Sequence, residues 1–129
     1  MTKRALTATA LDDWLAGYKG AWESRDPERA AALFTEHATY HETPFDAPKV
    51  GRNGIRDYWA NVTADQQDVA VKAHVLAVAG QTGIARWSAR FTSTSSGARI
   101  ELDGVFVLMF DEQGLCSELR EWWHVRAGS

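Results

Sequence analysis

Glu42 is the residue of this chain whose position most favours chemistry. It stands at the end of a β-prone segment, two residues after Tyr40, and Thr43-Pro44 separates it from a helix-forming segment rich in aromatic residues. Strand alternation predicts that Tyr40 and Glu42 share a face. A carboxylate among apolar surfaces is costly to bury, and desolvation raises its pKa, which suits a general acid or base. The alternative interpretation is an exposed glutamate at a strand end.

Three further polar residues fall on segments that otherwise predict buried structure. Tyr18 lies on the apolar stripe of the first helix, where its hydroxyl would donate to a ligand oxygen, to a developing oxyanion or to a core neighbour. Glu121 alternates with apolar residues and therefore points inwards. Asp103 lies near the middle of a strand, where it is difficult to leave in solvent. We expect Glu42, Tyr18 and Asp103 to be the catalytic candidates.

Six tryptophans are a heavy aromatic load for 129 residues. They predict an aromatic-walled cavity or a buried subunit interface, with simple core packing as the alternative. His41 faces away from Glu42 in a regular strand; a local twist would bring it to a cavity rim, and the alternative is a structural or exposed histidine. The candidate substrate-binding residues are Trp14, Trp22, Tyr40, His41, Trp59, Trp87, Glu121 and Trp123.

Length and composition predict one domain over residues 1–129 with a substantial core. The net charge of −3, without a long run of one sign, argues against nucleic acid as a partner. No apolar segment approaches the ~18 residues of a membrane span, and the first residues do not resemble a signal peptide. The single Cys116 cannot form an internal disulfide, so we expect a reducing cytoplasm.

Motifs for cofactors and metals are weak in this sequence. His37 and His41 are four residues apart, but no Cys–His set has zinc spacing. The segment Gly51–Arg56 opens a helix without the pattern of a phosphate-binding loop. We therefore expect neither a metal nor a cofactor.

The apolar periodicity changes from helical in the first half to strand-like in the second. Asp26 and Pro27 have the types expected at a helix N-cap and first helical position, and Asn53 is a candidate N-cap for the third helix. The predicted helices are 8–24, a short second one from 27 and 51–62, and the predicted strands are 38–42, 68–79, 84–93, 99–110 and 115–126.

Short connections containing glycine predict antiparallel neighbours in the second half. We expect an α+β fold, a cone-shaped barrel in which three N-terminal helices pack on a curved antiparallel sheet. Strand 99–110 is apolar on both faces in its second half, and the helices can cover only one of them. A second subunit would cover the other face, which predicts a homodimer through the sheet.

The order of elements resembles the nuclear transport factor 2-like fold, and most closely its SnoaL-like group of small bacterial proteins. Four segments carry the resemblance, which spans nearly the whole chain: YKGAWESRDPERAAALF from Tyr18, ATYHETP from Ala38, GRNGIRDYW from Gly51 and the ending GVFVLMFDEQGLCSELREWWH. It implies a cone-shaped α+β domain with a pocket for an apolar small molecule. It also implies cofactor-free proton transfer in an isomerisation, cyclisation or dehydration, with a non-catalytic ligand-binding or interaction module as the alternative.

The same resemblance suggests roles taken from ketosteroid isomerase. Tyr18 is similar in position to that family's oxyanion tyrosine, and Glu42 falls at or beside its catalytic carboxylate. Phe106 falls near the family's second oxyanion group and cannot donate a hydrogen bond. Arg99 and Glu101 resemble part of the arginine and carboxylate set of epoxide hydrolases of this fold, although on residues alone they also suit an outward ion-pair ladder.

Overall fold

The computed structural model describes residues 5–128. Three helices and six strands follow one another as α1 (Ala8–Glu23), α2 (Pro27–Ala31), β1 (Phe34–His41), β2 (Lys49–Val50), α3 (Gly51–Thr63), β3 (Gln66–Ala79), β4 (Thr82–Ser93), β5 (Arg99–Phe110) and β6 (Cys116–Gly128). Only α1 and α2 precede the strands, because β1 and β2 come before α3. The three predicted helices are present near their predicted ranges, but two strands precede the third, so only two helices are N-terminal to the sheet.

The N-termini of the first two helices follow from their capping residues. The Thr7 hydroxyl accepts a hydrogen bond from the Ala10 amide at 3.0 Å, and the Asp26 carboxylate accepts one from the Arg29 amide at 3.0 Å. The predicted Asp26 cap is thus confirmed. The prediction for Asn53 is wrong, since α3 begins at Gly51 after Val50 and has no side-chain cap. A left-handed φ of 73° at Gly51 turns the chain from β2 into the helix before it reaches Asn53.

The sheet has the order β2-β1-β6-β5-β4-β3. Neighbours are antiparallel except that β1 runs parallel to β6, with Tyr40 beside Leu119 and His41 beside Arg120. Within residues 5–128 no pairing joins β2 to β3, so the sheet is mixed and unclosed. The expected antiparallel barrel is therefore corrected in two respects: the sheet does not close, and one of its pairs is parallel. β1 and β6 are far apart in the sequence, so no hairpin forces them to be antiparallel.

The helices cover one face of the sheet, with α1 packed against β3 and α3 against β1. Buried side chains on this inner face alternate along each strand, as shown by Ala85, Trp87 and Ala89 on β4. The opposite, outer face carries charged residues together with the half-exposed Trp122. This alternation makes the inner face both the core and the wall of a cavity.

Gly104 of β5 fixes the packing at the centre of the inner face. It lies between Trp87 of β4 and Trp123 of β6 in the sheet register. A Cβ atom there would come within 2.8 Å of the Trp123 Cβ and 2.9 Å of the Trp87 ring. The absent side chain therefore leaves space for two indoles next to each other.

Candidate active site

A cavity of about 420 Å³ lies between α1, α3 and the inner face of the sheet. Its wall is largely aromatic and includes Trp22, Trp59, Trp87, Phe91 and Trp123. The ring centroids of Trp22 and Trp59 are 5.0 Å apart, and those of Trp22 and Trp87 are 5.7 Å apart. An enclosure of this size and composition is typical of sites for apolar small molecules.

Glu121 is the buried carboxylate of this cavity, with 5% of its surface exposed. The Tyr40 hydroxyl donates to its Oε2 at 3.4 Å. Burial raises the pKa of Glu121 well above its usual range, and the nearby Glu42 raises it further, while the Tyr40 hydrogen bond opposes the rise. The carboxyl group therefore keeps its proton to a higher pH than an exposed glutamate does.

Glu42 lines the same cavity from the residue after the end of β1. It is half-buried, and its backbone carbonyl accepts a hydrogen bond from the Trp123 indole at 3.2 Å. Two carboxyl groups therefore reach one aromatic enclosure, one buried and one at a more exposed position. Environments that differ in this way separate the tasks of acid and base.

Three tyrosines surround the two carboxyl groups. The hydroxyls of Tyr18 and Tyr40 are 3.1 Å apart, so that Tyr18, Tyr40 and Glu121 form a chain. Tyr58 lies on α3 beside Glu42, and its ring centroid is 5.0 Å from that of Tyr40. Burial, followed by the charge of Glu121, raises the pKa of all three phenols, which keeps them protonated as hydrogen-bond donors.

A polar cluster forms another part of the cavity wall. Asp65 accepts hydrogen bonds from the hydroxyls of Ser93, Thr94 and Ser95 and from the Ser95 amide, at 2.7 to 3.1 Å. These bonds hold the pKa of Asp65 at about 2. Asp65 thereby ties the end of α3 to the turn between β4 and β5. The Asp65 carboxylate therefore has a structural role at the cavity wall.

Most of the residues predicted for the site meet in this cavity. Tyr18, Trp22, Tyr40, Glu42, Trp59, Trp87, Glu121 and Trp123 all line it. Three do not. Trp14 is a core residue whose indole donates to the Leu33 carbonyl at 2.9 Å, and His41 is half-buried beside Arg120 on the neighbouring strand. Burial, and then the charge of Arg120, lowers the pKa of His41.

The expectation that Asp103 joins the catalytic set needs correction. Asp103 lies on the outer face, where Arg86 donates to both of its oxygens at 3.2 and 2.8 Å. Glu101 is similarly paired with Arg126 at 2.6 Å. Both carboxylates border a larger groove of about 900 Å³. Because their charges are already neutralised by arginines in solvent, we place the candidate site in the smaller aromatic cavity.

Tyr58 and Gln66 are two of the cavity residues that were not among the predicted site residues. The helical spacing of Tyr58 from Ile55 is the signal that could have placed it in the site. Gln66 begins β3 just after a helix, and no periodic pattern marks it. Among residues 5–128, no three histidine, cysteine or acidic side chains are grouped so as to hold a metal ion.

A sequence profile described as the SnoaL-like domain matches residues 14–119, which is most of the chain. The chain belongs to the SnoaL-like family. A search among curated protein sequences found no match. In the part of this SnoaL-like domain that the structure describes, no helix has the length and apolar character needed to cross a membrane.

Solved structures share the architecture of this SnoaL-like domain. The epoxide hydrolase/cyclase-like enzyme SalBIII, which has a role in pyran ring formation in the polyether salinomycin, is 19% identical with a TM-score of 0.78. The match covers 91% of this chain and 95% of the SalBIII chain. A designed 17-OHP binder is 18% identical with a TM-score of 0.79, covering 95% and 99%. A Catenulispora acidiphila protein of ketosteroid isomerase-like fold, in complex with trimethylamine, is 16% identical with a TM-score of 0.75, covering 85% and 84%. At such identities the likeness concerns the fold alone.

Proposed function

We propose that this SnoaL-like domain binds an apolar small molecule in its aromatic cavity and catalyses a cofactor-free proton transfer, as in isomerisation, cyclisation or dehydration. One observation carries the proposal: Glu42 and Glu121 line the same cavity, and Glu121 is buried there with a raised pKa. Groups with perturbed pKa values in a concave apolar site are the usual agents of acid–base catalysis.

The two carboxyl groups take complementary roles in this proposal. Glu121, whose pKa is raised, acts in its protonated form and donates its proton to an oxygen that leaves or becomes an alcohol. Glu42 accepts a proton from a carbon or hydroxyl of the same ligand. Tyr40 orients Glu121 through its hydrogen bond, and Tyr18 orients Tyr40. We therefore assign Tyr18 a positioning role in place of the expected oxyanion contact.

Ring closure on an oxygen is one reaction that this pair can perform. A hydroxyl loses its proton to the base while its oxygen attacks an epoxide carbon, and the acid protonates the epoxide oxygen as its C–O bond breaks. The epoxide hydrolase/cyclase-like enzyme of similar fold supports this class of substrate. The dry aromatic wall would strengthen the electrostatic contribution of both groups.

A general probe of base catalysis tests the proposal without knowledge of the substrate. In 5-nitrobenzisoxazole, loss of the ring C–H proton to a base breaks the N–O bond and releases a coloured cyanophenolate. We expect turnover by the native protein and a loss of about 100-fold or more when Glu42 and Glu121 are both replaced by glutamine. Glu36→Gln, on the exposed part of β1, is the matched control and should retain the native rate.

Two outcomes would contradict the proposal that the domain is catalytic. The first is equal turnover by the native protein and the Glu42→Gln, Glu121→Gln double variant. The second is tight ligand binding with no turnover by any form. The second outcome would favour the alternative, a non-catalytic ligand-binding or interaction module, for which the designed 17-OHP binder of the same fold is the supporting observation. 17-OHP itself is a suitable first probe of binding.

We further propose a homodimer formed through the outer face of the sheet. Trp122 is 50% exposed and Met109 is 41% exposed on that face, and Val105 and Val107 lie between them half-covered. A patch of this kind on a single subunit favours association. The free and buried thiol of Cys116 suits the reducing cytoplasm that we propose as the location.

A further inference from the structure

Within residues 5–128, the buried polar or charged residues are Thr63, Gln66, Ser93 and Glu121. Two of them have committed their hydroxyl hydrogens to the protein. Thr63 donates to the Trp59 carbonyl at 2.8 Å, and Ser93 donates to Asp65 at 2.7 Å. Glu121 belongs to the proposed acid–base pair. Gln66 remains, and the proposed reaction gives it no role.

The carboxamide of Gln66 has a fixed orientation. The Trp22 indole is a donor only, and it donates to the Gln66 Oε1 at 2.8 Å, so the oxygen must face the indole. Arg25 holds the Gln66 backbone by donating to its carbonyl at 2.9 Å. The amino group therefore points away from Trp22. Among the described residues this Nε2 makes no hydrogen bond, and it is not a fully enclosed atom, because the buried nitrogen atoms without a partner are those of the Trp59 and Trp87 indoles.

Gln66 lines the cavity although only 4% of its surface is exposed. Because its oxygen is used by Trp22, the amino group is the part of the carboxamide left for the cavity. Nε2 is therefore a donor open to the cavity. A ligand that displaces water from this donor loses affinity unless it brings an acceptor oxygen to Nε2.

Gln66 and Glu121 lie at opposite ends of the inner face. Glu121 pairs with Phe106, which lies beside Ala85 of β4, whereas Gln66 pairs with Ser93 at the other end of β4. Ala85 and Ser93, which mark the two positions, are eight residues apart along β4. The indoles of Trp59 and Trp87 lie on the cavity wall between them.

We propose that Gln66 is a specificity-determining residue, whose amino group binds a carbonyl or ether oxygen on the end of the ligand remote from Glu121. The inference rests on the proposed function and refines its substrate class. The substrate is an elongated apolar molecule with the reacting group at one end and a hydrogen-bond acceptor, without a hydrogen to donate, at the other. A ligand with a hydrogen-bond donor at that end would place it against the Gln66 amino group, which is itself a donor, and would be rejected.

The test compares two probes that differ by one oxygen, 4-phenylcyclohexanone and phenylcyclohexane, through the quenching of tryptophan fluorescence. We expect the native protein to bind the ketone about two- to tenfold more tightly, the range for one neutral hydrogen bond. Gln66→Met and Gln66→Leu both remove the amino group that would donate to the ketone. Both variants should lose the preference for the ketone and still bind the hydrocarbon. Gln113→Met, the same substitution in the exposed turn between β5 and β6, should retain the preference.

A second readout locates the contact. The side-chain amide signal of Gln66 in a ¹H–¹⁵N spectrum should move with the ketone and not with the hydrocarbon. A preference that survives in both Gln66 variants and disappears in Glu121→Gln would overturn the proposal, as would binding of neither probe. Loss of benzisoxazole turnover concerns only the two carboxyl groups, so the catalytic proposal can fail while the ketone preference stands.

Discussion

The Tyr40 hydroxyl donates a hydrogen bond to Oε2 of Glu121 at 3.4 Å, across the parallel junction of β1 and β6. The two residues are 81 positions apart in the sequence, and they meet because β1 pairs with β6. This contact connects the single buried carboxylate among the described residues to a buried chain of phenols. The pKa of Glu121 therefore depends on the complete tertiary structure.

Removal of the Tyr40 hydroxyl should raise the pKa of Glu121 further. The hydrogen bond stabilises the charged carboxylate, and Tyr40→Phe deletes it while the burial that dominates the shift remains. Titration of the Glu121 carboxyl carbon by ¹³C NMR measures the change. Tyr18→Phe is the matched control, because its hydroxyl contacts Tyr40 instead of Glu121, and it should give a smaller rise. A pKa of Glu121 that falls in Tyr40→Phe would contradict this account.

The free energy of unfolding should decrease as the pH rises because of Glu121. The unfolded chain releases this proton near pH 4.3, whereas the folded chain holds it to a higher pH. Between the two pKa values the folded state binds more protons than the unfolded state, so stability falls with pH. Below about pH 4.3 the favourable contribution of Glu121 is fully present, and it is lost as the pH passes through the folded pKa.

Glu121→Gln lacks this dependence and should gain in stability relative to the native protein as the pH rises from 4 to 8. Urea denaturation at several pH values measures the difference. Glu36→Gln, which removes an exposed carboxylate, should follow the native pH dependence. Parallel curves for the native protein and Glu121→Gln would show that Glu121 titrates normally in the folded state.

Gly104→Ala should destabilise the domain by about 1–3 kcal/mol, the usual cost of overpacking a core. The added methyl group would lie 2.6 Å from the Trp122 carbonyl oxygen and 2.8 Å from the Trp123 Cβ. Gly54→Ala is the opposite case, since its Cβ in α3 would meet only the Lys49 carbonyl carbon at 3.8 Å. That variant should be more stable by about 0.5–1 kcal/mol. Chemical denaturation of the two variants decides between these signs.

Trp122→Lys should weaken the proposed dimer by about tenfold or more, because a half-exposed tryptophan in an apolar patch is a typical energetic hot spot. Analytical ultracentrifugation over a range of concentrations measures the association. Phe45→Lys replaces an aromatic residue that is 97% exposed in the loop before β2, away from the sheet face, and should leave the association unchanged. A native protein that is monomeric at high concentration would remove the dimer proposal.

The sequence by itself determined the elements and the family. Helical spacing predicted that Tyr18 lies on the buried face of α1, and strand parity predicted that Glu121 points inwards. These predictions succeeded because periods of 3.6 and 2 follow from local backbone geometry. The family resemblance rested on the order of such elements, and the SnoaL-like profile confirms it.

Local patterns could not decide which polar groups share a cavity. Asp103 and Glu121 both interrupt apolar strands, yet one is ion-paired in solvent and the other is buried beside Tyr40. The difference comes from which face of the sheet the helices cover and from the parallel pairing of β1 with β6. The orientation of the Gln66 amide likewise depends on Trp22, a residue on another element. Pairings between distant segments, and the desolvation that accompanies them, exist only in the folded domain, so only the tertiary structure could decide the site.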